Sequence, residues 1–255
     1  MNGEMYQICC IVAATKKALA ENTTIQDIPL PYVQNITFQC LPQKRIFGKK
    51  TYQANCIADW FAHCKNKHLQ DIKFLCPVIV AERKYLGFAN TAKSSMVCFY
   101  PNDIVTFFTA VWEFDQVQKA WNVFYTEQVW ENPPKEKPHF ENNSKALQSI
   151  LEQIRDFATQ IECDYFAKVF DKAYHMLSQS KYEPVNQINP PVIPTEYLPI
   201  YAAAGMADVF GAMGSWNDEP PYMAHQKGLD DVYETLSNTL LQNIRLALLY
   251  VINEW

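Results

Sequence analysis

DIVTFFTAVWEF, residues 103–114, is the stretch on which the fold class turns. Ile104, Phe108 and Trp112 fall on one side of an extended chain. Val105, Phe107 and Val111 fall on the other. Apolar residues on both sides predict a central strand covered on both faces. The polar connection from Asp115 to Lys119 leads into Trp121–Trp130, a second strand. The two form a hairpin with a looser turn than Asn-Gly would give. Met96–Tyr100 reads as a neighbouring strand, and Tyr32–Leu41 alternates loosely as another. Ile72–Val80 is apolar and β-rich, but Pro77 lacks the N–H that a central strand donates. That confines it to an edge or splits it.

Helical periodicity surrounds these strands. Within 4–21, Met5, Ile8, Val12 and Leu19 share a face, with Lys16 and Lys17 as polar flank. Thr23 to Pro31 breaks the pattern, and Gln43–Lys50 reads as a basic loop. In 52–68, Ile57, Trp60, Phe61, Cys64 and His68 share a face. Asn132 to Pro138 holds three prolines, continues neither helix nor central strand, and marks a boundary. Beyond it, 144–178 is one long helix or two with a break, starting after Ser144 as N-cap. A second proline-rich stretch runs over 183–199, and a short helix covers 199–210. A last helix over 229–253 carries Leu229, Val232, Leu236, Leu240, Ile244, Leu248 and Val251 on one stripe. The class is α+β: a central, mostly antiparallel or mixed sheet from the first half, packed by N-terminal and C-terminal helices. The chain 1–255 reads as one domain. A layer or subdomain border at 132–142 separates a mixed part, 1–131, from a mainly helical part, 143–255.

With 49% hydrophobic and 19% charged residues, the 255-residue chain has the balance of a folded globular protein. A net charge of -5 and a pI near 5.6 argue against a general nucleic-acid or anionic-membrane binder. No stretch approaches the ~18 uninterrupted apolar residues of a membrane span. The eight cysteines form no C-x-x-C pair, and no export signal precedes them. The expectation is a cytoplasmic protein with reduced thiols.

Familiar chemical motifs fail on inspection. Gly48-Lys49-Lys50-Thr51 is no phosphate loop, because Gln43 stands where the pattern needs glycine and an extra lysine intervenes. Lys44, Arg45, Lys49 and Lys50 remain as a solvated basic cluster or an anion contact. His63, Cys64 and His68 lie on two helix faces, with Asp59 beside His63, and cannot together build a tetrahedral metal site. The G-x-S-x-G elbow fails at Ser215. Seven glycines and no G-x-G-x-x-G argue against a nucleotide cradle. No cofactor or metal is expected.

The densest group of special residues is Ala207 to Asp218, followed by Glu219-Pro220-Pro221-Tyr222. Gly211 and Gly214 suit positive φ, and Asn217-Asp218 suit side-chain-to-backbone turns. One reading is a structural turn with Trp216 plugging the core. The other makes Trp216, Asn217, Asp218, Tyr222 and His225 a recognition surface. Phe210-Gly211-Ala212-Met213-Gly214-Ser215-Trp216-Asn217-Asp218, with the helix that follows, resembles the C-terminal segment of small uncharacterised bacterial proteins. These share an FG-small-MGSWND signature over the last fifth of the chain. The resemblance implies a bacterial origin and brings no activity with it. The functional expectation is a non-enzymatic protein that binds another protein, an immunity-type neutraliser of a toxin being one form. The alternative is an enzyme with dispersed groups and a pocket walled by 207–225. A pocket gathering several of Asp59, His63, Asp208, Asp218 and His225 would favour the enzyme.

Overall fold

A computed structural model describes residues 1–255 except 27, 29, 31, 46–47, 82, 180–181 and 183–188, and the side chains of 43–50. The chain forms two compact units. The sheet unit holds 7–75 and 93–138; the helical unit holds 1–6, 76–92 and 139–255.

The sheet unit begins within helix α1 (Gly3–Ala20) and continues through β1 (Val33–Gln39), β2 (Gln43–Arg45), β3 (Gly48–Lys50) and β4 (Gln53–Ala54). Helix α2 (Ile57–Asn66) and β5 (Asp71–Leu75) follow, then β6 (Ser95–Phe99), β7 (Val105–Asp115) and β8 (Ala120–Val129). Six strands form one mixed sheet in the order β4-β1-β8-β7-β6-β5. Only β1 and β8 run parallel; the other neighbours are antiparallel. The α+β class and the mixed sheet stand. β5 occupies an edge and ends at Leu75, short of Pro77 and of the expected Ile72–Val80 run. The Gln43–Lys50 stretch differs from the expected loop: β2 and β3 pair antiparallel. The basic side chains there lie outside the described structure.

The β7–β8 hairpin closes where Asp115 opposes Ala120. Asp115 Oδ1 accepts the N–H groups of Val117 and Gln118 at 2.8 and 3.0 Å. A side-chain acceptor thus replaces the Asn-Gly geometry. One sheet face is core. Phe38 stacks between Trp60 and Tyr125, at 5.0 and 4.9 Å. The Tyr125 hydroxyl donates to Gln7 Oε1 of α1 at 2.7 Å. Ile57, Trp60, Phe61 and Cys64 form the buried face of α2. His68 does not join them, because the helix stops at Asn66 and His68 sits exposed at φ 62.

The opposite face is covered only in part. Val97, Phe99 and Val105 are buried with Phe107, Leu75 and Trp130 around them. Val111 and Phe124 are 50% and 40% exposed. β7 is interior by hydrogen bonding, yet not sandwiched along its length as its two apolar faces predict.

The helical unit contains α3 (Ser144–Gln160), α4 (Asp164–Ser178), α5 (Leu198–Ala207), α6 (Glu219–Gln226) and α7 (Asp230–Asn253), with 3-10 turns at Arg83–Gly87 and Thr195–Tyr197. α3 and α4 are two helices. Glu162 takes φ 63 between them, and Cys163 N–H donates to Ala158 O at 2.8 Å. The N-cap of α3 is Asn143 rather than Ser144, whose N–H donates to Asn142 Oδ1 at 2.9 Å. α3 packs on α4 and α7, and α5 packs on α4 and α7. The expected stripe of α7 is buried from Leu240 onward: Leu240, Ile244, Leu248 and Val251 all have no accessible surface. Its first turns differ. Val232 is 42% exposed, and Tyr233 and Ser237 are buried instead. α6 was not expected. Pro220-Pro221 looks like a helix breaker, but both prolines sit in the first turn, where no intrahelical N–H is needed.

Candidate functional site

After α5 the chain folds back on itself. Trp216 N–H donates to Val209 O at 3.0 Å. Gly214 holds φ 76, and Asp218 Oδ2 accepts its N–H at 2.7 Å. Asn217 Nδ2 donates to Arg83 O at 3.1 Å and to Gly211 O at 3.3 Å. The turn also lies against Gly87: a Cβ there would stand 2.2 Å from Ala212 N. Glycine is required because another backbone occupies the space of a side chain.

Trp216 has no accessible surface. Its ring meets Phe166 and Phe170 edge-on and stacks on Tyr233 at 5.7 Å. The indole Nε1–H donates to Ser237 Oγ at 2.8 Å, and the Tyr233 hydroxyl donates to Trp216 O at 2.6 Å. Arg83 is buried beside them. It donates to Glu234 at 3.0 Å and to the Asn238 carboxamide, and lies 5.6 Å over the Tyr233 ring. This corrects the recognition-surface reading at its centre, because a fully buried indole cannot anchor a partner. Of the other residues of that surface, Asn217 is half-buried inside the turn, and Asp218, Tyr222 and His225 are exposed. Tyr222 and His225 lie on α6. The Tyr222 hydroxyl accepts from Gln226 Nε2 at 2.6 Å, and His225 Nδ1 lies 2.9 Å from Asp230 Oδ1.

In the sheet unit the titratable groups form a different cluster. Glu127 is buried on β8. One oxygen accepts from the Thr106 hydroxyl at 2.9 Å and pairs with Lys67 Nζ at 3.4 Å; the other accepts Leu41 N–H at 2.8 Å. Sequence reasoning passed over Glu127. The signal was its parity: it alternates in step with Val123 and Tyr125, which face the core. His63 stacks on Tyr52 at 4.0 Å, and burial chiefly, then the Lys67 charge, pushes its pKa down. Asp59 is exposed. Burial pushes the Cys40 and Cys64 thiols up to about 12 and Cys98 well above its ordinary value. These thiols are protonated at neutral pH and are poor nucleophiles. With both Glu127 oxygens engaged, the cluster is built as a satisfied internal ion pair. Among the described residues, no three His, Cys, Asp or Glu side chains gather as a metal site.

An open cleft of about 450 Å³ lies in the sheet unit. None of Asp59, His63, Asp208, Asp218 or His225 borders it. A broader feature is the open sheet face. Strand register sets Gln53, Gln39, Thr126, Thr109 and Ser95 in one row across β4, β1, β8, β7 and β6. Thr37, Phe124 and Val111 form the next row. In the row beyond, Asn35 Nδ2 donates to Asn122 Oδ1 at 2.8 Å. These three rows carry no formal charge over β1 and β8, although 19% of the chain is charged.

No described helix is long and apolar enough to cross a membrane. Comparison with protein-family models, curated proteins and solved structures finds no match to this chain.

Proposed function

We propose that the protein is a non-enzymatic interaction protein that binds another protein through the open face of β1, β8 and β7. The observation that supports this is the composition of that face. Exposed Phe124 and Val111 lie among Thr, Asn and Gln that carry no formal charge on β1 and β8, with Glu113 of β7 at the border of the field. Protein interfaces have this character at their centre, where charged residues are depleted and aromatics enriched. A bacterial cytoplasmic setting accompanies the reading through the resemblance of the Phe210–Asp218 segment and the unpaired pattern of cysteines in the sequence. An immunity-type neutraliser of a toxin is one role of this kind.

The test is affinity purification from the native host with wild type, Phe124→Arg and Tyr222→Ala in parallel. Phe124→Arg is expected to keep its urea midpoint and lose a partner that wild type and Tyr222→Ala both retain. Loss on Tyr222→Ala alone would move the interface to α6 and overturn the sheet-face reading.

A further inference from the structure

Three helices of the helical unit begin around one buried ring. Trp216 meets Phe166 and Phe170 of α4 and Tyr233 of α7, and α6 starts three residues after it. This packing gathers the first turns of α4, α6 and α7 with the turn between α3 and α4. α6 turns Pro220 and Ala224 inward. Its outer side holds Tyr222 between Asp218 and His225, at the i−4 and i+3 spacing of one helix face, and all three are exposed.

Carboxylates crowd this surface. Segments 162–165 and 218–232 hold six acidic residues, Glu162, Asp164, Asp218, Glu219, Asp230 and Asp231, all exposed. Burial, then the charges of Glu219, Asp164 and Glu162, push the Cys163 thiol up to about 11, so α6 and α4 bring their acids to one spot. The only lysine in these segments, Lys227, lies 2.7 Å from Glu162 and offsets that one charge. Acids at helix starts are expected, because each N-terminus carries roughly +0.5 of a charge. Three starts supply about +1.5, less than half of what the other five carboxylates carry. The excess extends over the helical unit, whose 17 acidic and 9 basic residues give a net charge of -8.

Helix capping does not account for the exposed rings. Tyr222 is 61% exposed, and Tyr165, in the first turn of α4, is 71% exposed. Both are held in place: Tyr165 meets Phe166 edge-on at 5.2 Å, and Tyr222 accepts from Gln226 at 2.6 Å. Fixed aromatic faces among unbalanced carboxylates suit a guanidinium, which stacks on a ring and donates to acids in the same plane.

We propose that the face built by α6 and the first turns of α4 and α7 docks an arginine-bearing segment of a partner protein. Guanidinium groups stack on Tyr165 and Tyr222 and donate to the carboxylates around them. Arginine fits better than lysine, whose ammonium neither stacks nor forks between two acids. The same charge repels nucleic acid and anionic membrane. The proposal does not rest on the sheet-face reading. It concerns the other unit and a different segment, so Tyr222→Ala leaves the partner of Phe124 in place.

The test uses the intact protein with a fluorescently labelled Arg-Gly repeat peptide and its Lys-Gly counterpart, read by anisotropy at low salt. Amide hydrogen exchange with the unlabelled Arg-Gly peptide locates the contact. The Arg-Gly peptide is expected to bind saturably, more tightly than the Lys-Gly peptide, and to slow exchange over 219–234. Tyr222→Ala should weaken it about two- to fivefold, as loss of an exposed cation–π contact does. Tyr165→Ala combined with Tyr222→Ala should weaken it about tenfold. Asp231→Lys should weaken it more than Glu152→Lys, which makes the same change of charge on α3, about 12 Å of helix before its end at Gln160. No saturable binding to wild type, no preference for arginine, unchanged binding in the double tyrosine variant, or equal weakening by Asp231→Lys and Glu152→Lys would overturn the proposal.

Discussion

Trp216 is held by contacts of different kinds: a stack on Tyr233, two aromatic edges, an indole hydrogen bond and a backbone carbonyl bond. Removing the ring leaves a cavity and an unmet Ser237 hydroxyl. Trp216→Ala is expected to cost ~3–5 kcal/mol, as core aromatic truncations do. Urea unfolding measures it, and a cost within ±0.5 kcal/mol would contradict the packing described. A second residue-scale effect concerns pH. The Cys40, Cys64 and Cys76 thiols are raised from 9.0 to about 12 by burial, and burial also lifts the Tyr100 hydroxyl. The unfolded chain therefore loses these protons before the folded one. Stability is full below pH 9 and falls as the pH rises toward 12. Urea midpoints between pH 8 and pH 11 should decline, and Cys64→Val should flatten the decline. A flat wild-type profile would show that the thiols titrate normally.

At the scale of elements, α7 separates two kinds of apolar residue on what looks like one stripe. Leu240→Ala is expected to cost ~2–5 kcal/mol, because its side chain is wholly buried. Val232→Ala should stay within about ±0.5 kcal/mol, because Val232 is exposed. Equal costs at the two positions would restore the straight stripe read from the sequence. The stripe bends because Trp216 docks on Tyr233 and Ser237, and nothing within 229–253 announces a tryptophan from another segment. This is the general limit on what the sequence shows. The β7–β8 hairpin and helices α1 and α7 are legible because local periodicity decides them. α6 is obscured because proline fits a first helical turn as well as it breaks a later one. His68 is misplaced because the end of α2 depends on a single positive φ. For the candidate sites, Glu127 is readable only through strand parity. Of the surface around α6, Asp218, Tyr222 and His225 are readable in the sequence, but Tyr165 is not. It joins them because Phe166 packs on Trp216, which is a fact of tertiary structure.

At the scale of the whole molecule, the helical unit is assembled from three stretches of chain. Residues 76–92 bring Arg83 to Glu234 and Asn238, Gly87 to the Gly211–Ala212 backbone, and Pro77 O to Arg245 Nη1 at 2.7 Å. Cutting at the proline stretch before His139 discards all of these. The fragment 139–255 is expected to show helical circular dichroism but a broad melt and a solvent-accessible Trp216 fluorescence signal. A sharp melt with the indole still shielded would mean that 76–92 is dispensable.

Arg83 and its partner Glu234 stand 151 residues apart in the chain. At the usual pace of protein synthesis the second follows the first by on the order of ten seconds. Every strand of the six-stranded sheet is already made when Val129 is made, long before α7 exists. For that interval Arg83 lacks its partners Tyr233, Glu234 and Asn238. A protease or chaperone working at the ribosome meets residues 76–92 while their partners on α7 are still missing. The order of manufacture thus leaves residues 76–92 waiting for α7, which follows every strand of the sheet in the chain.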